Sequence, residues 1–191
     1  GNEYLFQTQA ETNIGTFKQY DIKKIITTCP HCFNTIKNEY PQLGGKYDVI
    51  HYTAFVGGLL RDGKLKPTEA GIGKVGTVTY HDSCYLGRQN GEFGAPREII
   101  SSIPGLNFVE MEQNQERSFC CGAGGGQMWI EAEGERVNHL RTDQFLDTNA
   151  ETIAVSCPFC IQMYDEGITA KGAEDDRKAV DLISILDQAT D

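Results

Sequence analysis

No long apolar run exists in this 191-residue chain: the longest, Ala54 to Leu60, is interrupted by two glycines and falls far short of the ~20 residues that a membrane-spanning helix needs. A helical membrane span is therefore excluded. Basic residues are scarce too, 17 Lys and Arg against 27 Asp and Glu for a net charge of −10, and no basic run exceeds a pair such as Lys23-Lys24. Such a surface repels polyanions, so nucleic acid is not an expected partner. A charged leader followed by an apolar stretch is missing, and the seven cysteines are an odd number, which disfavours a secreted disulfide framework. Reduced thiols in a cytoplasmic setting are the expectation. Met is missing from position 1 as well: Gly1-Asn2-Glu3 runs straight into a helical pattern, as expected of a fragment of something longer. What remains, 39% apolar residues, suffices for a buried core in one or two compact domains.

One segment occurs twice. Ile25-Ile26-Thr27-Thr28-Cys29-Pro30-His31-Cys32-Phe33 returns 128 residues later as Ile153-Ala154-Val155-Ser156-Cys157-Pro158-Phe159-Cys160-Ile161. Each copy passes from a short β-branched strand through Cys-Pro-X-Cys into a helical pattern. Downstream, Tyr47 to Phe55 is answered by Ala179 to Leu186. The economical organisation is a first unit over 1–65, a linker over 66–75 within the Gly- and Lys-rich stretch Gly63 to Gly76, and a complete second unit over 76–191. In the second unit the pattern predicts strands at Val75 to Tyr80, Leu106 to Met111 and Ile153 to Ser156. It predicts helices at Arg97 to Ser102, behind Pro96, and from about Met128 to Leu146. Strands alternating with helices make an α/β fold with parallel sheets, in which ligands sit beyond the carboxyl ends of strands. Cys84 and Cys157 occupy such ends.

Along the second unit, Cys84 precedes Cys120-Cys121 by 36 residues, and Cys121 precedes Cys157 by another 36, with Cys160 following. Thiolates suit both zinc and iron-sulfur clusters. A fifth thiol exceeds the four of a tetrahedral zinc site, adjacent cysteines do not easily share one ion, and the small residues Gly122 to Gly126 leave room for a bulkier core, which favours iron-sulfur. Proline after the first Cys of each Cys-Pro-X-Cys costs nothing in a first helical turn, and the helix amides then face the sulfurs. The backbone of Gly122, Gly124 and Gly125 is expected to approach cluster sulfides.

The cysteine, Cys-Cys-Gly and Cys-X-X-Cys series from Cys84 to Cys160 resembles the cysteine-rich CCG domain of the heterodisulfide reductase catalytic subunit and related iron-sulfur oxidoreductases. Gly1 to Phe6, Thr28 to Thr35 and Cys120 to Trp129 are similar to the C-terminal part of bacterial membrane-bound (Fe-S)-binding reductases that link electron-transfer flavoprotein to quinone. The resemblance implies two pseudo-repeated Rossmann-like units, and a 4Fe-4S cluster on Cys84, Cys120, Cys121, Cys157 and Cys160, noncubane as in the heterodisulfide reductase motif, with a cubane or smaller cluster left open. It also implies a second site of which only Cys29 and Cys32 are present, the counterparts of Cys120 and Cys121 falling upstream of Gly1, so that a second cluster belongs to the full-length protein. Electrons would come from electron-transfer flavoprotein or another redox donor and pass to a quinone-reducing membrane region of the parent chain, at the cytoplasmic face of the membrane.

Rival readings stay in view. Within the same chemistry stand a heterodisulfide reductase and a lactate or glycolate dehydrogenase iron-sulfur subunit; outside it stands a non-redox structural zinc module. A thioredoxin-like dithiol at Cys29-Pro30-His31-Cys32 leaves five other cysteines unexplained. A nucleotide loop at Gly122 to Gly126 lacks the Gly-Lys-Ser/Thr that would follow. His31 and His81 lie beside candidate ligands but are expected mainly to hydrogen-bond backbone. Met128, Trp129 and Ile130 are expected as core or as a shield for the cluster, and Glu131, Glu133 and Glu135 as the solvated first turns of the helix that follows.

Overall fold

The computed structural model describes residues 1–69, 75–130 and 133–190. The stretch expected as linker falls partly, and Glu131 wholly, outside them. The first unit begins with α1 (Glu3–Gln19), capped by the Asn2 side chain, which accepts from the Leu5 amide at 3.1 Å. The chain then enters β1 (Lys24–Thr27), α2 (Pro30–Asn34) with its π and 3-10 continuations to Leu43, β2 (Asp48–His51) and α3 (Tyr52–Arg61). β1 and β2 pair in parallel, Lys24 opposite Asp48 and Thr27 opposite His51. The second unit holds β3 (Val78–Tyr80), α4 (Gly94–Ser102), α5 (Val137–Leu146), β4 (Thr152–Val155), α6 (Pro158–Ala170), β5 (Lys178–Asp181) and α7 (Leu182–Thr190). Its sheet is parallel throughout, in the order β3-β4-β5. The order strand, Cys-Pro-X-Cys helix, strand, helix thus occurs twice in an α/β fold.

β4 is the central strand, buried along its whole length, as a parallel strand covered on both faces requires. Because successive side chains point to opposite faces, Ala154 joins a core with Val78, Tyr80, Ile99 and Leu182, whereas Ile153 and Val155 join Phe145, Met163 and Tyr164 on the other side. The first of these cores also contains Tyr52 and Val56 of α3, so the two units share apolar packing. Tyr52 adds a polar anchor there: its hydroxyl donates to Asp181 at 2.6 Å and lies 3.0 Å from Ser156 Oγ. Tyr52→Phe leaves half-buried Asp181 with the Ile183 amide but without its donor from the first unit, and a loss of about 1–3 kcal/mol in urea unfolding is expected; unchanged stability would show that apolar contact alone joins the units.

Two expected elements differ. The strand over Leu106 to Met111 is reduced to one bridge, Phe108 against Val78, held by the Val78 amide on the Asn107 carbonyl and the Val109 amide on the Val78 carbonyl; beyond it Glu110 turns to pair with Arg97. The helix expected from Met128 starts only at Val137. Gly124–Trp129 is instead a 3-10 segment broken by Gly125 and Gly126 in the left-handed region, at φ +64° and +79°, and Gly134 repeats that geometry at +86°. Glu133 and Glu135 accordingly precede the helix. Trp129 and Ile130 are 73% and 50% exposed, so neither is core. No helix among the described residues is long and apolar enough to cross a membrane.

Candidate metal centre

Three strand ends deliver thiols to one place. Cys29 caps α2 just past β1, Cys157 caps α6 just past β4, and both are followed by proline in the first helical turn. Cys160 lies one turn further on the same helix, and Cys84 follows the end of β3. Cys120 and Cys121 come from the long loop behind the Phe108 bridge, which is tied down by the segment leading to Cys84. Asp82 accepts from the Gln115 amide at 2.7 Å, and the Asp82 carbonyl accepts from Ser118 Oγ at 3.2 Å. Arg97 in turn holds the Asp82 carboxylate in a two-pronged pair at 2.8 and 2.9 Å, the geometry that most strictly orients a carboxylate. Loop and strand end therefore move as one unit.

The thiols form a connected string. Cys121 and Cys160 are 3.3 Å apart, and electrostatic coupling runs from Cys121 through Cys120 to Cys84 and from Cys160 through Cys157 to Cys29. Cys121, Cys157 and Cys160 are buried, Cys29, Cys84 and Cys120 partly so, and Cys32 is exposed; all seven are free thiols. The five second-unit cysteines singled out by spacing are thus brought together. Cys29, expected in a separate half-site, touches Cys157, and His31 sits between them, its Nδ1 3.8 Å from Cys29 Sγ and 3.9 Å from Cys157 Sγ. Its ring packs on Tyr85 and edge-on to Phe159.

Such a string cannot ionise throughout. Hydrogen bonds from Cys121 and Cys84 pull Cys120 down to about 2, and those from Cys160 and Cys29 hold Cys157 well below the usual thiol range. Their neighbours move the other way: the bond to Cys120 pushes Cys121 up to about 12. Cys84, Cys29 and Cys160 also rise, each first through a thiol neighbour and then through burial. Each sulfur that ionises makes its neighbours harder to ionise. Full deprotonation needs a positive centre among the sulfurs, which is the condition under which thiols bind metal.

Of the three glycines expected to serve the centre, Gly122 donates its amide to Cys120 Sγ at 3.3 Å. It has φ +90°, and a side chain there would press on the Asn138 amide and Val137, so this position admits glycine for two reasons. No hydrogen bond to a thiol is found for Gly124 or Gly125 among the described residues; both are exposed. His81, expected to bond backbone, instead shares a 3.1 Å hydrogen bond with the Tyr164 hydroxyl through Nδ1. A ring nitrogen of His81 and the sulfurs of Cys121 and Cys160 lie within 4.8 Å of one another, all three residues buried. Its place just past a strand, three residues before Cys84, was the available signal. Tyr164 and Arg141, which stand behind it, carried none.

The sequence model of the family described as CCG, cysteine-rich domain, matches residues 1–37 and 78–164. Over 190 residues the chain is 47% identical to the "Probable iron-sulfur-binding oxidoreductase FadF" of Bacillus subtilis, covering 99% of this chain and 26% of the relative. It is 45% identical over 195 residues to the "EtfAB:quinone oxidoreductase" of Syntrophomonas wolfei, with 97% and 27% covered. One component of the dihydromethanophenazine:CoB--CoM heterodisulfide reductase of Methanosarcina barkeri is 37% identical over 184 residues, with 94% and 44% covered. The chain therefore spans between about a quarter and under half of these relatives' lengths.

Proposed function

Since the chain belongs to the CCG cysteine-rich domain family, we propose that it is the cluster-binding portion of an iron-sulfur oxidoreductase. The observation that carries this reading is the group of five buried and half-buried thiols at the ends of β3 and β4 and on the loop between them, too many for one tetrahedral ion and unable to ionise together without a cationic core. When bound, an iron-sulfur cluster supplies one-electron chemistry without moving heavy atoms far. Cys84, Cys120, Cys121, Cys157 and Cys160 are its ligands in this reading, and a 4Fe-4S core suits five thiols, with the noncubane form taken over from the heterodisulfide reductase resemblance. The chain's own contribution is to aim the sulfurs, through the Asp82–Arg97 clamp and the two proline-started helices, and to exclude water from Cys121, Cys157 and Cys160. The Gly122 amide, already on Cys120 Sγ, is a donor of the kind that tunes cluster potentials.

Residues 1–65 and 76–191 are read as two units joined by 66–75. Cys29 and Cys32 belong to a second site, whose further thiols would lie outside residues 1–65, and a second cluster would form in the parent protein. Similarity to a relative named EtfAB:quinone oxidoreductase supports a reduced flavoprotein as donor and a quinone-reducing part as acceptor, with the parent at the cytoplasmic face of a membrane.

Anaerobically purified protein is expected to be brown and to hold one cluster per chain, about four iron and four acid-labile sulfide, with an EPR signal on reduction or oxidation. Stoichiometric zinc without labile sulfide would overturn this in favour of a structural zinc module.

A further inference from the structure

Among the described residues Arg141 is the largest side chain with no solvent exposure. Its place follows from the close crossing of α5 and α6, where a side chain on Gly167 would collide with Thr142 Oγ1 and crowd the Asn138 carbonyl. Arg141 Nε donates to the Tyr164 hydroxyl at 3.1 Å, Nη1 to the Gln113 carbonyl at 3.0 Å and to Gln144 Oε1, and Nη2 to Ser118 Oγ at 3.2 Å. Every one of these acceptors is neutral. Among the described residues no carboxylate comes within 4.0 Å of it, whereas partly buried Arg97 is paired with both Asp82 and Glu110. A guanidinium does not give up its proton, so a full positive charge is buried without an anion beside it, an arrangement that is costly unless another charge compensates.

The thiols of the proposed centre lie one ring away. The Tyr164 hydroxyl that accepts from Arg141 is 3.1 Å from His81 Nδ1, and His81 faces the sulfurs of Cys121 and Cys160. Tyr164 lies within electrostatic reach of both Arg141 and those two thiols. We propose that Arg141 is the buried counter-charge of the thiolate-held centre, a positioning residue that acts through Tyr164 and His81 and favours the reduced state. The proposal rests on the iron-sulfur reading. An iron-sulfur core with its thiolates is anionic and gains one more negative charge when it takes up an electron, so a fixed cation in a low-dielectric setting stabilises the reduced form more than the oxidised one. A unit charge two hydrogen bonds away, at an effective dielectric constant of about 20, biases such an equilibrium by about tenfold.

The test is a redox titration, followed by EPR and visible absorption, of the anaerobically loaded chain and its variants. Arg141→Met, which keeps most of the stem and removes the charge, is expected to lower the midpoint by about 59 mV, the one-electron equivalent of tenfold. Arg141→Gln, which keeps donors without charge, should do the same and serves if the Met variant does not fold. Arg141→Lys should recover most of the shift. The difference should persist in 1 M salt, because a buried charge is little screened. Midpoints of the Met and Gln variants equal to wild type, at full iron and sulfide content, would overturn the proposal alone; wild-type protein without labile sulfide would overturn the iron-sulfur reading and the proposal with it.

Discussion

Cys121→Ser is expected to strip the anaerobically prepared protein of its visible absorption and of most of its iron and labile sulfide, whereas Cys32→Ser leaves both within about a tenth of wild type. The two positions differ in what surrounds them. Cys121 is 5% exposed, 3.3 Å from Cys160 and hydrogen-bonded to Cys120, so it occupies the middle of the thiol string. Serine there offers a harder, far less acidic oxygen to a soft metal, and its hydroxyl would be buried among sulfurs that are poor partners for it. Cys32 is exposed and outside that string. Iron and sulfide assays with EPR decide the matter: an unchanged spectrum in Cys121→Ser removes Cys121 from the ligand set, and loss of iron in Cys32→Ser merges the two sites into one.

Acid should weaken the protein through His51. His51, 1% exposed at the end of β2, accepts from the Thr53 amide and lies 2.8 Å from Thr53 Oγ1. Burial holds it down to about 4 from its usual 6.5, offset only in part by a backbone group of Thr28, the nearby Cys157 thiol and a backbone group of Ser156. The folded protein therefore keeps the ring neutral where the unfolded chain protonates it. Between pH 6.5 and about 4 the unfolded state binds the extra proton, so stability falls as pH falls through that window and the loss levels off below it. The full effect is at most about 3 kcal/mol. His51→Gln should lack this slope, and the difference between wild type and variant in urea unfolding at about pH 7, 6 and 5 isolates it from His81, which burial also holds low, at about 3. Parallel pH profiles for the two proteins would show that His51 is charged or solvated in the fold.

Much of the chemistry was legible in one dimension. Cys-Pro-X-Cys at a strand-to-helix junction is a local arrangement: the β-branched run, the proline and the helical pattern lie within about ten residues, and so β1 and β4 with their cysteine-capped helices could be read directly, as could the repeat and the α/β class. The likeness of Tyr47 to Phe55 and Ala179 to Leu186 was visible too, and the structure shows it to be a strand running into a helix, β2–α3 and β5–α7. Where local signals competed, the reading failed. Met128 to Leu146 looks helical by pattern, but the left-handed glycines at 125 and 126 break it. The run over Leu106 to Met111 looks like a strand, but a sheet edge holds only Phe108 in it. What tertiary structure alone decided are contacts between distant residues: Cys29 against Cys157, 128 positions apart, depends on α3 packing into the core of the second unit. The line Arg141, Tyr164, His81 spans three elements and exists because Gly167 lets α5 and α6 approach. A buried arginine and an exposed one are identical in sequence, since burial is a property of what the rest of the chain brings to it.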